Sequence, residues 1–121
     1  GEGRVGTYGE LRAIGEKGDN LAAHHIPNDN YMRNCGIERE EGIAIMIEEP
    51  TPGSGGRHSE IHKVLKKQDE SLSPRDALAQ SAKRIREIYK ADGVYTEEIH
   101  SSVKDAMKKN KEKFSNLFQK G

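Results

Sequence analysis

Four of the chain's five histidines come in two pairs, His24–His25 in the stretch Ala23-His24-His25-Ile26-Pro27 and His58 with His62 in His58-Ser59-Glu60-Ile61-His62. Imidazole is the commonest metal ligand among side chains, and an ordinary pKa of about 6.5 also suits it to general-base work. Two such pairs could build a one-metal hydrolytic centre with a base beside it. His58 and His62 open a helical pattern at i and i+4, so their Cβ atoms stand roughly 5–6 Å apart on one face and both rings can reach one divalent ion. Adjacent histidines behave differently. The segment around His24 and His25 reads as loop-like, and Ile26 before Pro27 favours extended backbone; the two rings then point in roughly opposite directions. A division of labour follows, in which one ligates and its neighbour faces the reaction centre as base. The blander alternatives are a chance pair on a helix surface and two partly exposed loop histidines. His100, beside Ile99, reads as ordinary surface.

Arg57 immediately precedes His58, and its guanidinium fork matches phosphate oxygens bidentately. Lys108, Lys109, Lys111 and Lys113 form a basic run that is either a solvated face or an attractor for phosphate. Glu38, Glu40, Glu41, Glu48 and Glu49 are awkward on a nucleic-acid surface; they lie away from the cleft or meet a basic partner.

The elements that must position these groups belong to one small domain. At 121 residues, with 32% hydrophobic residues, 33% charged and no Trp, the core is thin, and a metal site would help to staple it. The net charge is zero but uneven: residues 1–60 hold 6 Lys/Arg against 11 Asp/Glu, and residues 61–121 hold 14 against 9. A DNA-binding domain usually shows a basic surplus, so the total argues mildly against nucleic acid while the basic second half keeps it open. Cys35 is the sole cysteine, which excludes an intrachain disulfide and a cysteine-based zinc knuckle and suits a reducing cytoplasm. No signal peptide and no apolar run long enough for a membrane span is present. The start at Gly1 without Met fits a piece cut from a longer protein.

Eleven of the thirteen glycines lie at or before Gly56. Residues 1–20 read as turns and short extended pieces, with at most a helical turn around Glu10–Ile14. Ile43-Ala44-Ile45-Met46-Ile47, bounded by Gly42 and Pro50, is a buried strand, and Thr51–Gly56 is a loop. An apolar stripe of Ile61, Val64 and Leu65 follows. Ser73-Pro74-Arg75-Asp76 is a helix start with Ser as N-cap and Pro at the first helical position. Leu78, Ala82, Ile85, Ile88 and Tyr89 then repeat at helical spacing up to Gly93, placed as a C-terminal cap. Thr96 caps a further helix with Ile99, Val103 and Met107 on its apolar face, and Phe114, Leu117 and Phe118 form a last short helix packing back on the core.

A double histidine, a short strand and a helix bearing H-x₃-H resemble the HNH (ββα-metal, His-Me finger) nucleases. Three segments are similar, more specifically, to the C-terminal nuclease toxin domains of bacterial polymorphic toxins of the Rhs and contact-dependent-inhibition type. These are Gly6–Leu11 with Ala23–Pro27, Gly55–His58, and Ile88–Ile99 leading into the Asn110–Lys111 helix; together they span most of the chain. The resemblance implies an α+β fold with a ββα-metal core over residues 21–68, a glycine-rich opening over 1–20 and a helical part over 73–119. It implies His24 as a metal ligand, His25 as general base, and His58 and His62 as the remaining ligands, with Arg57 clamping a phosphate oxygen. The family's middle Asn, which orients the base, has no clear counterpart before His58; that task falls to a backbone carbonyl or to Glu48 or Glu49.

The implied cofactor is one divalent ion, zinc or nickel ahead of magnesium given imidazole ligands. The implied substrate is nucleic acid, DNA ahead of RNA. Further implications are a cognate immunity protein in the producing cell, a carrier and secretion apparatus outside this chain, and action in the cytoplasm of a target cell. Two other readings stand beside this one: a metal-independent RNase toxin, and a non-catalytic histidine-rich interaction module in which metal only stabilises the fold.

Overall fold

The computed structural model describes residues 2–15, 20–48, 56 and 71–118. Arg57, His58 and His62, and the apolar stripe expected from Ile61 to Leu65, lie outside the described residues.

The apolar run read as a buried strand is the centre of the molecule. Strand β3 (Ile43–Glu48) pairs antiparallel with β1 (Val5–Thr7) on one side and with β2 (Leu21–His25) on the other, giving the order β1-β3-β2 among the described residues. Side chains alternate along a strand, so Ile43, Ile45 and Ile47 share one face and Ala44 and Met46 the other. All five are buried, which explains a continuous apolar run rather than an alternating one. The isoleucine face packs against α3 (Pro74–Ala91), α4 (Glu97–Lys113) and α5 (Ser115–Phe118) through Leu78, Ala82, Ile85, Tyr89, Val103 and Phe118. The opposite face carries α1 (Tyr8–Ile14), whose Leu11 packs on Ala44 and Met46. Helices thus lie on both sides of a small antiparallel sheet, an α+β arrangement.

The capping signals hold in the second half. Ser73 accepts from the Asp76 amide at 3.2 Å with Pro74 behind it, and Thr96 accepts from the Ile99 amide at 3.3 Å. Helix α3 ends as a Schellman motif: Gly93 N–H donates to the Lys90 carbonyl and Val94 N–H to the Tyr89 carbonyl. That geometry needs the left-handed backbone Gly93 supplies, at φ +71°.

The first half holds more helix than its residues suggested. Helix α1 starts at Tyr8, not at Glu10, because Thr7 and Glu10 form a reciprocal capping box. A six-residue helix α2 (Asp29–Asn34), capped by Asn28, and a 3₁₀ turn (Arg39–Glu41) fill the connection from β2 to β3. No helix among the described residues is long and apolar enough to cross a membrane.

Asn110 ties the C-terminal helix to this framework. Fully buried on α4, its Nδ2 donates to the Ile26 carbonyl at 2.8 Å and to the Ala106 carbonyl at 2.9 Å. The first bond fixes the backbone just beyond His25. Asn110→Ala leaves the Ile26 carbonyl without that donor, and the expected loss is about 1–3 kcal/mol of stability, read from the urea midpoint. A loss under about 0.5 kcal/mol, the scale of an ordinary surface change, would show that the tie contributes nothing.

Candidate active site

The paired histidines are not in a loop. His24 and His25 are the last two residues of β2, and both are buried, 4% and 8% exposed. Pairing with β3 continues past them, since Ile26 N–H donates to the Ile43 carbonyl, and this continued ladder is what makes the segment strand. His24 stands opposite Ile45 and His25 opposite Ala44. The two rings therefore leave the sheet on opposite faces, His24 on the isoleucine face and His25 on the face that carries α1.

Four residues converge on the His25 ring. Its Nε2 lies 2.8 Å from the Arg39 carbonyl oxygen, delivered by the 3₁₀ turn. A carbonyl only accepts, so Nε2 carries the hydrogen and Nδ1 is the acceptor nitrogen of the neutral ring. Tyr8, the first residue of α1, stacks on the imidazole with centroids 4.4 Å apart and planes 22° from parallel. Asp29, the first residue of α2, places Oδ1 3.6 Å from Nε2. Gly42 closes the last side: a Cβ there would stand 2.9 Å from His25 Cδ2.

Each of these residues is placed by a local device. The Thr7–Glu10 capping box starts α1 at Tyr8, and hydrogen bonding to its carboxyl from the Thr7 side chain first and the Thr7 backbone N–H second holds Glu10 below the usual carboxylate range. Asn28 caps α2 by accepting from the Asn30 amide at 2.8 Å, which sets Asp29 in the first turn. Arg39 donates to the Tyr8 hydroxyl at 2.9 Å and sits over its ring, 4.9 Å from the centroid. That hydrogen bond, then the charges of Tyr8 and Asp29, raise the guanidinium pKa further, so Arg39 is cationic at any working pH.

A cleft of about 370 Å³ opens over these groups, lined by Tyr8, Ala23, His24, His25, Asn28, Asp29, Arg33 and Arg39. Arg33 pairs with Asp29, Nε to Oδ2 at 3.1 Å. Arg39 has no carboxylate within ion-pair distance among the described residues. The cleft thus offers an acceptor imidazole, a carboxylate behind it and one uncompensated guanidinium, a set suited to taking a proton from a nucleophile beside an anionic group.

Glu48 does not orient His25. It ends β3 opposite Leu21, four residues along from Ala44 and so about 13 Å away along the strand. The backbone carbonyl of Arg39 takes that place; Glu49 lies outside the described residues. Cys35 is half-buried, and burial pushes its thiol pKa up, which keeps it protonated and unreactive. His100 is exposed, with Nδ1 2.6 Å from the Tyr95 hydroxyl, in keeping with a surface residue.

Tyr8, Asp29, Arg33 and Arg39 had not been singled out for the site. Asp29 carried a local signal, four residues after His25 and directly after the capping Asn28. Arg39 carried none, because it meets His25 through its backbone across fourteen residues. Comparison of the chain with protein-family models, with curated proteins and with solved structures finds no match. Of the expected ligands, His24 alone falls in the described part, and no group of three metal-ligating side chains occurs among the described residues.

Gly42→Ala tests the packing of the ring. With φ −64° the backbone accepts any residue, so the only obstacle is His25. The expected outcome is a displaced ring, seen as shifted His25 imidazole resonances, and a stability loss of about 1–3 kcal/mol. Unshifted resonances would mean that the ring is not confined on that side.

Proposed function

We propose that this chain is a metal-dependent endonuclease of the ββα-metal type that cleaves phosphodiester bonds, with DNA as its substrate. The observation that carries the reading is the His25 ring, fixed by the Arg39 carbonyl as an Nε2–H tautomer in a cleft that also holds an unpaired arginine. Strands β2 and β3 supply the two strands of such a core, and the segment bearing His58 and His62 would supply its helix.

In this reading His25 Nδ1 takes the proton of the attacking water, a role worth typically about 10²–10⁴-fold in rate. The ring gains a positive charge as it does so, and the Asp29 carboxylate 3.6 Å from Nε2 faces that charge. Tyr8 and Gly42 keep the ring from turning away. Arg39, joined by Arg57 from outside the described residues, binds non-bridging oxygens and offsets the charge that builds on the phosphorus centre. His24, His58 and His62 would be an all-imidazole donor set, chemistry that suits zinc or nickel better than magnesium; a divalent ion held by them would supply Lewis-acid stabilisation to the leaving oxygen. His24 fits that role by donor type alone, since its ring leaves the sheet on the face opposite to His25.

The motif order carries the biological setting: a toxin domain delivered into a competing bacterium, acting in its cytoplasm, and neutralised in the producer by a cognate immunity protein. A nuclease without such an inhibitor would attack the producer's own nucleic acid.

The test is cleavage of supercoiled plasmid by the purified chain with divalent ions, with excess chelator, and with His25→Ala. The expected result is metal-dependent nicking, abolished by chelator and reduced about 10²–10⁴-fold in the variant. Cleavage untouched by chelator would replace the one-metal mechanism with a metal-independent one. No cleavage of DNA or RNA with any ion would retire the enzyme reading altogether. Since protonated imidazoles neither ligate nor accept a proton, activity is expected to fall at acid pH; a rate unchanged down to about pH 5 would contradict the roles given to these histidines.

A further inference from the structure

A second cationic surface lies away from the His25 cleft. Helices α3 and α4 pack side by side and leave a groove of about 630 Å³ whose wall on the α3 side is Arg86. Its α4 wall carries His100, Lys104, Lys108 and Lys111 over a floor formed by Met107. At 1.5 Å rise per residue, the four α4 positions follow one another at about 6, 6 and 4.5 Å along the axis. They form a row of donors on one helix face rather than a scattered set.

The charges in this row are poorly compensated. Glu112 is the one acid in the groove, and it pairs with Lys108 at 3.8 Å. Arg86, Lys104 and Lys111 have no carboxylate partner among the described residues. Arg86 is the telling member: its Nε is buried and makes no hydrogen bond. A buried guanidinium nitrogen without an acceptor costs free energy in the isolated chain, and an anion in the groove that Arg86 lines would offset its charge. The neighbouring Lys109 and Lys113, by contrast, are already engaged, with Asp105 and Glu41.

We propose that the α3–α4 groove is a docking track for the phosphodiester backbone of nucleic acid, with Arg86 as its anchor and Lys104, Lys108 and Lys111 following successive phosphates. This rests on the nuclease reading for the identity of the polyanion. Even spacing of like charge matches a regularly charged backbone better than the irregular carboxylates of a protein partner. Among the described residues no Phe, Tyr or Trp lines the groove, so backbone contact rather than base stacking is the mode of binding. The track lengthens the footprint beyond the cleft and holds the substrate without reading its sequence.

The experiment measures binding of the His25→Ala chain to a DNA duplex of about 30 base pairs, and to a single-stranded RNA, by fluorescence anisotropy across a salt series. In that background, Arg86→Gln is compared with Arg75→Gln, and the pair Lys104→Gln/Lys108→Gln with the pair Arg75→Gln/Lys83→Gln, controls of equal charge on exposed positions of α3 outside the groove. The exposed lysine pair keeps the test valid should Arg86→Gln unfold. Each lost phosphate contact is expected to lower the slope of log K against log salt by about 0.9 on duplex, or about 0.7 on a single strand. The lysine pair should bind at least about tenfold more weakly than the control near 0.1 M salt.

Groove variants that bind like the control overturn the track, as does a parent chain that binds neither probe. If they also lose an acidic polypeptide probe such as polyglutamate while keeping nucleic acid, the groove belongs to an acidic protein partner and the proposal falls. The plasmid assay separates this from the catalytic reading. Weakened binding in the groove variants, with no cleavage by the unsubstituted chain, leaves the track standing and removes the nuclease; cleavage by groove variants at unchanged KM does the reverse.

Discussion

The register of β2 on β3 is the constraint from which the site follows. His24 opposite Ile45 and His25 opposite Ala44 send two buried imidazoles to opposite faces of one sheet. A slip of one residue would exchange them and put the wrong ring against Tyr8 and the Arg39 carbonyl. The register is held where burial is greatest, since β3 is apolar on both faces and every residue from Ile43 to Ile47 is buried. It is also pinned beyond the histidines, by the Ile26–Ile43 backbone bond and by Asn110 reaching the Ile26 carbonyl from α4. The base candidate is thus positioned by the core itself, while the groups that surround its ring come from the 3₁₀ turn and the starts of two short helices.

The uneven charge of the two halves takes a structural meaning here. Glu41, next to the 3₁₀ turn's Arg39 and Glu40, pairs with Lys113 at the end of α4 at 2.9 Å, so the acidic half meets the basic half behind the turn that presents the Arg39 carbonyl. An exposed pair of this kind contributes little stability. Its effect is local, joining α4 to the turn that also packs on α1 and α2. The remaining lysines of α4 are left to its outer faces, and the cations inside the cleft, Arg33 and Arg39, come instead from the acidic half.

What could be read from the residues follows from how local each signal is. Ser73-Pro74, Gly93 and Thr96 act within four residues of themselves, and the helices they bound lie where that chemistry puts them. The Ile43–Ile47 run needs only its own composition to be a buried strand. The His24–His25 segment is strand rather than loop because its strand character comes from pairing with β3, about twenty residues away, against the pull of Pro27. Helix α2 has six residues and two buried apolar side chains, too few for periodicity to register. The Arg39 carbonyl could not be foreseen at all, since any residue type at that position offers the same atom. The choice of a backbone carbonyl over Glu48 was open in the sequence, and only the strand geometry decides it.

The state of the His25 ring is the claim on which the rest turns, and long-range ¹H–¹⁵N correlation of the imidazoles at neutral pH reads it directly. The account predicts that the neutral form of His25 is protonated on Nε2, with Nδ1 carrying the lone pair. A ring protonated on Nδ1 in the neutral form would contradict it, because the bond to the Arg39 carbonyl could not then exist and the nitrogen meant to accept the proton would already hold one.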